Sequence, residues 1–106
     1  MSSRWRRFEV LLPLQFNAGR SVPGELLVEA VFEIVERFGA ASYETQTIQG
    51  HWRQEHVLYR DNLVRLIVDV PDRPKNRTSM KAFKQRWKNK LDQIELWMAS
   101  YLITIE

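Results

Sequence analysis

The sequence predicts a ferredoxin-like α+β fold: a four-stranded antiparallel sheet with two helices on one face, in the order βαββαβ. Two kinds of observation predict it. Four segments carry apolar residues at or near period two and two carry them at helical spacing, in strand–helix–strand–strand–helix–strand order. Gly, Pro and Asn clusters punctuate most of the joins. Right-handed crossovers then place the first and third strands at the centre of the sheet.

Residues 5–16 form the first strand. Phe8, Val10, Leu12, Leu14 and Phe16 alternate with Arg7, Glu9, Leu11, Pro13 and Gln15, and Pro13, which cannot donate to a ladder, belongs near the strand's end or at a bulge. Asn17–Arg20 is a loop, Ser21 is the expected N-cap, and Pro23 falls in the first turn of a helix over 22–38. Leu27, Val31, Ile34, Val35 and Phe38 give that helix its apolar side, and Gly39 ends it. Glu25, Glu29, Glu33 and Glu36 make its other side acidic, while Val28 and Phe32 lie outside the main apolar arc.

A polar, Thr-rich strand over 42–53 and a strongly alternating one over 57–70 (Val64, Leu66, Val68, Val70) read as a long hairpin, which Pro71 and Pro74 close. The second helix is expected at 77–94, with Met80, Phe83, Trp87, Leu91 and Ile94 in one arc. The last strand, 95–105, is apolar on both faces: Trp97, Tyr101, Ile103 and Ile105 on one, Leu96, Met98 and Leu102 on the other.

Composition sets the limits. A chain of 106 residues with 44% apolar and 11% aromatic residues is read as a single globular domain, 1–106. It has no cysteine, which excludes disulfides, thiolate catalysis and Cys-based metal centres and is compatible with the expected cytoplasmic location. The start MSSRWRRFEVLLPLQF imitates a signal peptide, but Glu9 and Pro13 interrupt its apolar run and no small-residue cleavage site follows. No segment approaches the length of a membrane helix.

The net charge of +3 conceals a segregation: eight of the sixteen Lys and Arg residues lie between Arg73 and Lys90, where there is no acid, and all thirteen acids lie elsewhere. In a ferredoxin-like fold the acidic first helix and the basic second helix lie side by side, so their flanks are expected to pair. The alternative use of the basic helix is sequence-tolerant nucleic-acid binding through Arg77, Lys81, Lys84 and Lys88, with Arg4, Arg6 and Arg7 as a second basic cluster. Base stacking on the central strands is not expected, since LVRLIVDV carries no aromatic residue.

The densest chemistry is GHWRQEHVLYRDN, residues 50–62. His51 and His56 are an odd number of residues apart, so on one strand they point to opposite faces, and two histidines fall short of a metal site. No metal or cofactor is expected. An enzyme here would use His51, Glu55 and Asp61 for acid–base chemistry, whereas the simpler reading pairs Arg53, Glu55, Arg60 and Asp61 across the strands. No G-x-S-x-G elbow is present, and Gly19 and Gly24 have P-loop spacing but are followed by Glu25-Leu26 instead of Lys-Ser/Thr. No residue is assigned as catalytic. A bound ligand is expected at His51, Trp52, Arg53, Tyr59 and Asp61, where Trp stacks and Arg pairs with an anion.

A sheet with helices on one face leaves the other open, and the outward Leu11 and Ile67 and the doubly apolar last strand predict an apolar patch there. A homodimer through that face or through an edge strand is the expected partner.

The segments PLQFNAGRSVP (13–23), ERFGAAS (36–42), GHW (50–52), LYRDN (58–62) and LDQIELW (91–97) resemble a family of short, functionally uncharacterised bacterial α+β proteins. The resemblance implies the ferredoxin-like order and no particular catalytic residue. Ala40-Ala41-Ser42 stands where that pattern has a second Gly and a Thr, which leaves the start of the second strand open. The leading expectation is a non-catalytic, dimerising interaction or small-ligand-binding module, with nucleic-acid binding and a small enzyme as alternatives.

Overall fold

A computed structural model of the chain describes residues 4–106. Its elements are β1 (Trp5–Pro13), α1 (Gly24–Phe38), β2 (Ser42–Gln54), β3 (Val57–Pro71), α2 (Pro74–Lys90) and β4 (Met98–Ile103). The sheet order is β2-β3-β1-β4 with every neighbouring pair antiparallel, so the two strands of strongest alternation are central.

The core follows from that alternation. Phe8, Val10 and Leu12 of β1 and Val64, Leu66, Val68 and Val70 of β3 are buried beneath Leu27, Ala30 and Ile34 of α1 and Met80, Phe83 and Trp87 of α2. Leu91 and Leu96 complete it from the segment after α2. Burying one such side chain stabilises the fold by roughly 1.5–3 kcal/mol. The helices run antiparallel with opposed charge: Arg86 pairs with Glu33 at 2.6 Å, Lys90 pairs with Glu29, and Arg37 donates to Ser79 Oγ. The expected contact between acidic and basic flanks is therefore present.

Several boundaries move for physical reasons. β1 stops at Pro13 rather than Phe16, and the chain turns into a loop closed by Phe16 N–H to Arg20 O and Gly19 N–H to Phe16 O. Ser21 does not cap α1; it bridges Gln15, and Pro23 occupies the N-cap position with no side-chain cap. Gly39 does end α1, at φ 89° in the left-handed region, donating to Val35 O. α2 begins at Pro74, whose missing N–H costs nothing in a first turn. It ends at Lys90 rather than Ile94, because Asp92 takes φ 51° and Gln93 N–H bonds back to Lys88 O. Residues 91–97 are accordingly a connecting segment, and β4 is confined to 98–103.

Two features of the hairpin position the site. β1 pairs with β3 only as far as Pro13↔Leu63, so residues 49–62 continue beyond β1 as a two-stranded arm. Its two-residue turn is Glu55-His56, both at positive φ (49° and 69°), as tight hairpins of the primed type require. Thr45, Gln46 and Thr47 of β2 bulge between Glu44↔Arg65 and Ile48↔Leu63, opposite the single residue Val64.

The open sheet face is less apolar than its sequence implies. Leu11, Ile67 and Ile103 face outward, but ion pairs lie among them. Arg7 makes a bidentate contact with Asp69 at 2.7 and 2.9 Å, and Arg65 lies between Glu9 and Glu44. The Asp69 carboxylate raises the already high Arg7 pKa further, through its hydrogen bond and its charge.

Candidate functional site

Where the arm leaves the sheet, a half-enclosed cleft of about 280 Å³ lies between the hairpin and residues 93–97. Alternation places its base: Leu11 and Pro13 of β1 and Leu63 of β3 share the open face, as do Gly50, Asp61 and Trp52 two and four pairs further along the arm. The opposite side consists of Gln93, Glu95, Leu96 and Trp97. Leu11 N–H donates to Trp97 O at 3.1 Å, extending the β1–β4 ladder and fixing the aromatic residue beside the apolar base. A Cβ on Gly50 would lie 3.0 Å from Leu63 Cδ1, so glycine lets Leu63 lie across the strand there.

Polar groups in the cleft are oriented by direct partners. Trp52 Nε1 donates to Asp61 Oδ2 at 2.7 Å, and the Trp52 ring stacks on Tyr59 with centroids 4.3 Å apart and planes 15° apart. Glu95 Oε1 accepts from Lys84 Nζ at 3.2 Å and from Leu96 N–H at 3.0 Å. The Lys84 ammonium is the main cause that holds the Glu95 carboxyl below its ordinary range, against a smaller opposing effect of burial. The cleft thus combines two indoles, an apolar base, the Asp61 carboxylate held by a neutral indole and the Glu95 carboxylate shared with Lys84, a set suited to a compact ligand with a flat ring and positive charge.

Of the residues singled out in the sequence, His51, Trp52 and Asp61 line this cleft. His51 does so with its imidazole turned to Gln49 Oε1 at 3.3 Å. Tyr59 supports Trp52 from beside it, and Arg53 lies nearer the tip, opposite Leu58. Glu55 and His56 form the turn itself, away from the cleft, so His51, Glu55 and Asp61 do not converge. The expected pairing of Arg53, Glu55, Arg60 and Asp61 is replaced: the register sets Arg60 against His51, and Asp61 binds the Trp52 indole. Among the described residues no cluster of three or more His, Cys, Asp or Glu is placed to hold a metal ion.

Sequence reasoning missed Gln93, Glu95 and Trp97 as cleft residues. LDQIELW signalled only the join of a helix and a strand, and its place opposite the hairpin is a tertiary fact. In the basic helix, Arg77 is bound to Asp72 at 2.9 Å and Lys84 to Glu95, whereas Lys81 and Lys88 have no carboxylate within 4.0 Å among the described residues. Among the described residues no helix is long and apolar enough to cross a membrane.

No protein-family model matches the chain, and no curated protein matches it. Solved structures do. A phage SAM lyase in complex with S-methyl-5′-thioadenosine superposes with a TM-score of 0.71 at 15% identity, over 99% of this chain and 93% of that one. CutA1 from Oryza sativa gives 0.67 at 11% identity, over 99% and 84%. The divalent cation tolerance protein CutA1 from Thermus thermophilus gives 0.65 at 12%, over 96% and 86%. At such identities the likeness establishes the fold, a small ferredoxin-like α+β protein, and no activity.

Proposed function

We propose that this single-domain chain is a small-ligand-binding protein whose cleft between the hairpin arm and residues 93–97 takes a compact organic cation bearing a flat ring. The observation that carries this reading is the convergence of Trp52 and Trp97 with Asp61 and Glu95 around one apolar base. A cation gains roughly 0.5–2 kcal/mol from an aromatic face, and a carboxylate adds the opposite charge. The likeness to a protein that acts on SAM supplies the first probe, because S-adenosylmethionine is a sulfonium cation carrying an adenine ring. The neutral thioether S-adenosylhomocysteine, which keeps the adenine and the amino-acid chain and loses only the methyl group and the sulfonium charge, is the matched control.

Calorimetric titration tests the reading. S-adenosylmethionine binds more tightly than the thioether, and Trp52→Ala and Asp61→Asn each weaken its binding. Equal affinity for the two compounds, or full affinity in both variants, contradicts the charge-and-stacking account. The same likeness favours one catalytic reading, cleavage of S-adenosylmethionine. Incubation followed by chromatography for S-methyl-5′-thioadenosine decides it, and absence of product leaves a binding protein.

The protein also assembles with itself in this reading, through the open sheet face or the β4 edge, a dimer being the simplest closed form. Exposed Trp97 and Tyr101 on that side support it. Light scattering that stays monomeric at high concentration refutes it. A cytoplasmic location is in keeping with a chain that has no cysteine.

A further inference from the structure

A second concavity lies on the helical side, away from the proposed ligand cleft, where the C-terminal end of α1 meets the N-terminal end of α2. Its volume is about 710 Å³, and its charged lining is Arg37, Arg73, Lys75 and Arg86 against Glu33 and Glu36. The net balance of that lining is +2, and the Arg86–Glu33 ion pair leaves it unchanged, with Arg37, Arg73 and Lys75 against Glu36. Glu33 is already engaged, accepting from Arg86 at 2.6 Å and from Trp87 Nε1 at 3.4 Å. Arg73 and Lys75 have no carboxylate within 4.0 Å among the described residues. The first turn of α2 contains no acid, so nothing in that turn offsets the positive end of the helix.

The cationic side chains come from three parts of the chain, and three hydrogen bonds hold the frame. Arg37 Nη2 donates to Ser79 Oγ at 2.6 Å, and that hydroxyl donates to Lys75 O at 3.0 Å, tying the end of α1 to the first turns of α2. Asn76 Nδ2 donates to Pro71 O at 2.8 Å, fixing the approach to the helix. Asn76 and Arg77 N–H both return to Arg73 O, and Pro74 has no N–H, so the backbone offers few donors here. Recognition therefore falls to the side chains. The half-buried Phe38 ring, with Arg37 at 6.0 Å from its centroid, adds an apolar surface to the same concavity.

We infer that this concavity is a binding site for a small phosphate-bearing anion, recognised by Arg73 and Lys75 with Arg37 and Arg86 at its sides. Guanidinium and ammonium donors match phosphate oxygens in charge and geometry, and Arg73 and Lys75 have no carboxylate partner among the described residues. The site differs from the basic stripe of Arg77, Lys81, Lys84 and Lys88, in which Arg77 and Lys84 are held by Asp72 and Glu95.

Inorganic pyrophosphate is the probe, titrated into the intact chain at low ionic strength and followed by amide chemical shifts. Binding shifts the amides of residues 73–76 and 37–38 and weakens with added salt. The charge reversal Arg73→Glu with Lys75→Glu lowers affinity by at least about tenfold. The matched reversal Lys81→Glu with Lys88→Glu, equal in charge but outside the concavity, has a far smaller effect. Circular dichroism on both variants checks that the changes leave the fold intact. No binding by the wild-type chain, equal losses in the two variants, or binding of a mixed oligonucleotide without binding of pyrophosphate would each overturn the assignment.

Discussion

Replacing Trp52 by Phe separates the two interactions that hold the cleft's central indole. The ring stack on Tyr59, with centroids 4.3 Å apart and planes 15° apart, survives in Phe. The 2.7 Å bond from Nε1 to Asp61 does not. A hydrogen bond to a charged group contributes about 1.5–3 kcal/mol when shielded. Both residues here are half-buried, so water competes and about 1 kcal/mol is the expected loss. Trp52→Ala also removes the stack, about 0.5–1.5 kcal/mol, and apolar contact, for a total of about 2–3 kcal/mol. Urea denaturation followed by far-ultraviolet circular dichroism measures both, and a loss of 1 kcal/mol corresponds to a fall of about 4–8 °C in Tm for a domain of this size. A double-mutant cycle with Asp61→Ala assigns the bond, with an expected coupling of about 1 kcal/mol. A coupling near zero, or Trp52→Phe as stable as wild type, refutes the claim that Asp61 orients this indole.

Three further outcomes follow from named contacts. Replacing Glu55-His56 with Asn-Gly, which adopts positive φ at little cost, raises stability by about 1 kcal/mol in the same urea assay and leaves ligand binding in the cleft unchanged. Trp87→Ala empties the largest fully buried side chain and lowers stability by about 3–5 kcal/mol, measured by thermal and urea unfolding. Asp72 is held below the ordinary carboxyl range, first by its hydrogen bond to Arg6 and then by that to Arg77. A carboxyl depressed in the folded state contributes stability that is complete above its unfolded pKa and lost as pH falls through the folded value. Wild type should therefore lose stability below about pH 4 more steeply than Asp72→Asn, as read from Tm against pH.

The fold was legible because the central strands announce themselves. Phe8-Val10-Leu12 and Val64-Leu66-Val68-Val70 alternate cleanly, and a one-residue slip would turn every one of them to solvent. Gly39 and Pro71 marked real ends for the same local reasons that make them stops. The boundaries that moved were set by longer contacts. Leu91 keeps helical spacing and is buried, yet α2 has already ended, because Asp92 and Gln93 close its last turn.

Half of the cleft could be read from one segment. Trp52 and Asp61 stood out as chemistry-bearing residues, but their bond depends on a register that sequence does not specify: Trp52↔Tyr59 and Gly50↔Asp61. Alternation on the arm instead suggested charge pairing, and that lost to an indole lying two pairs away on the same face as the carboxylate. Glu95 and Trp97 were invisible as site residues, since they reach the hairpin only by folding of the chain after α2. The outward face showed the converse effect. Leu11 and Ile67 implied an apolar surface, while the Arg7–Asp69 and Glu9–Arg65–Glu44 pairs, separated widely in sequence, break it up.

The most direct test of the ligand cleft uses the four tryptophan indoles as reporters, since only two of them line it. Titration of S-adenosylmethionine into ¹⁵N-labelled protein should shift the Trp52 and Trp97 indole resonances saturably and leave that of the buried Trp87 in place. Saturable shifts confined to other positions, or no shift at any indole, would contradict the assignment of this cleft as the ligand site.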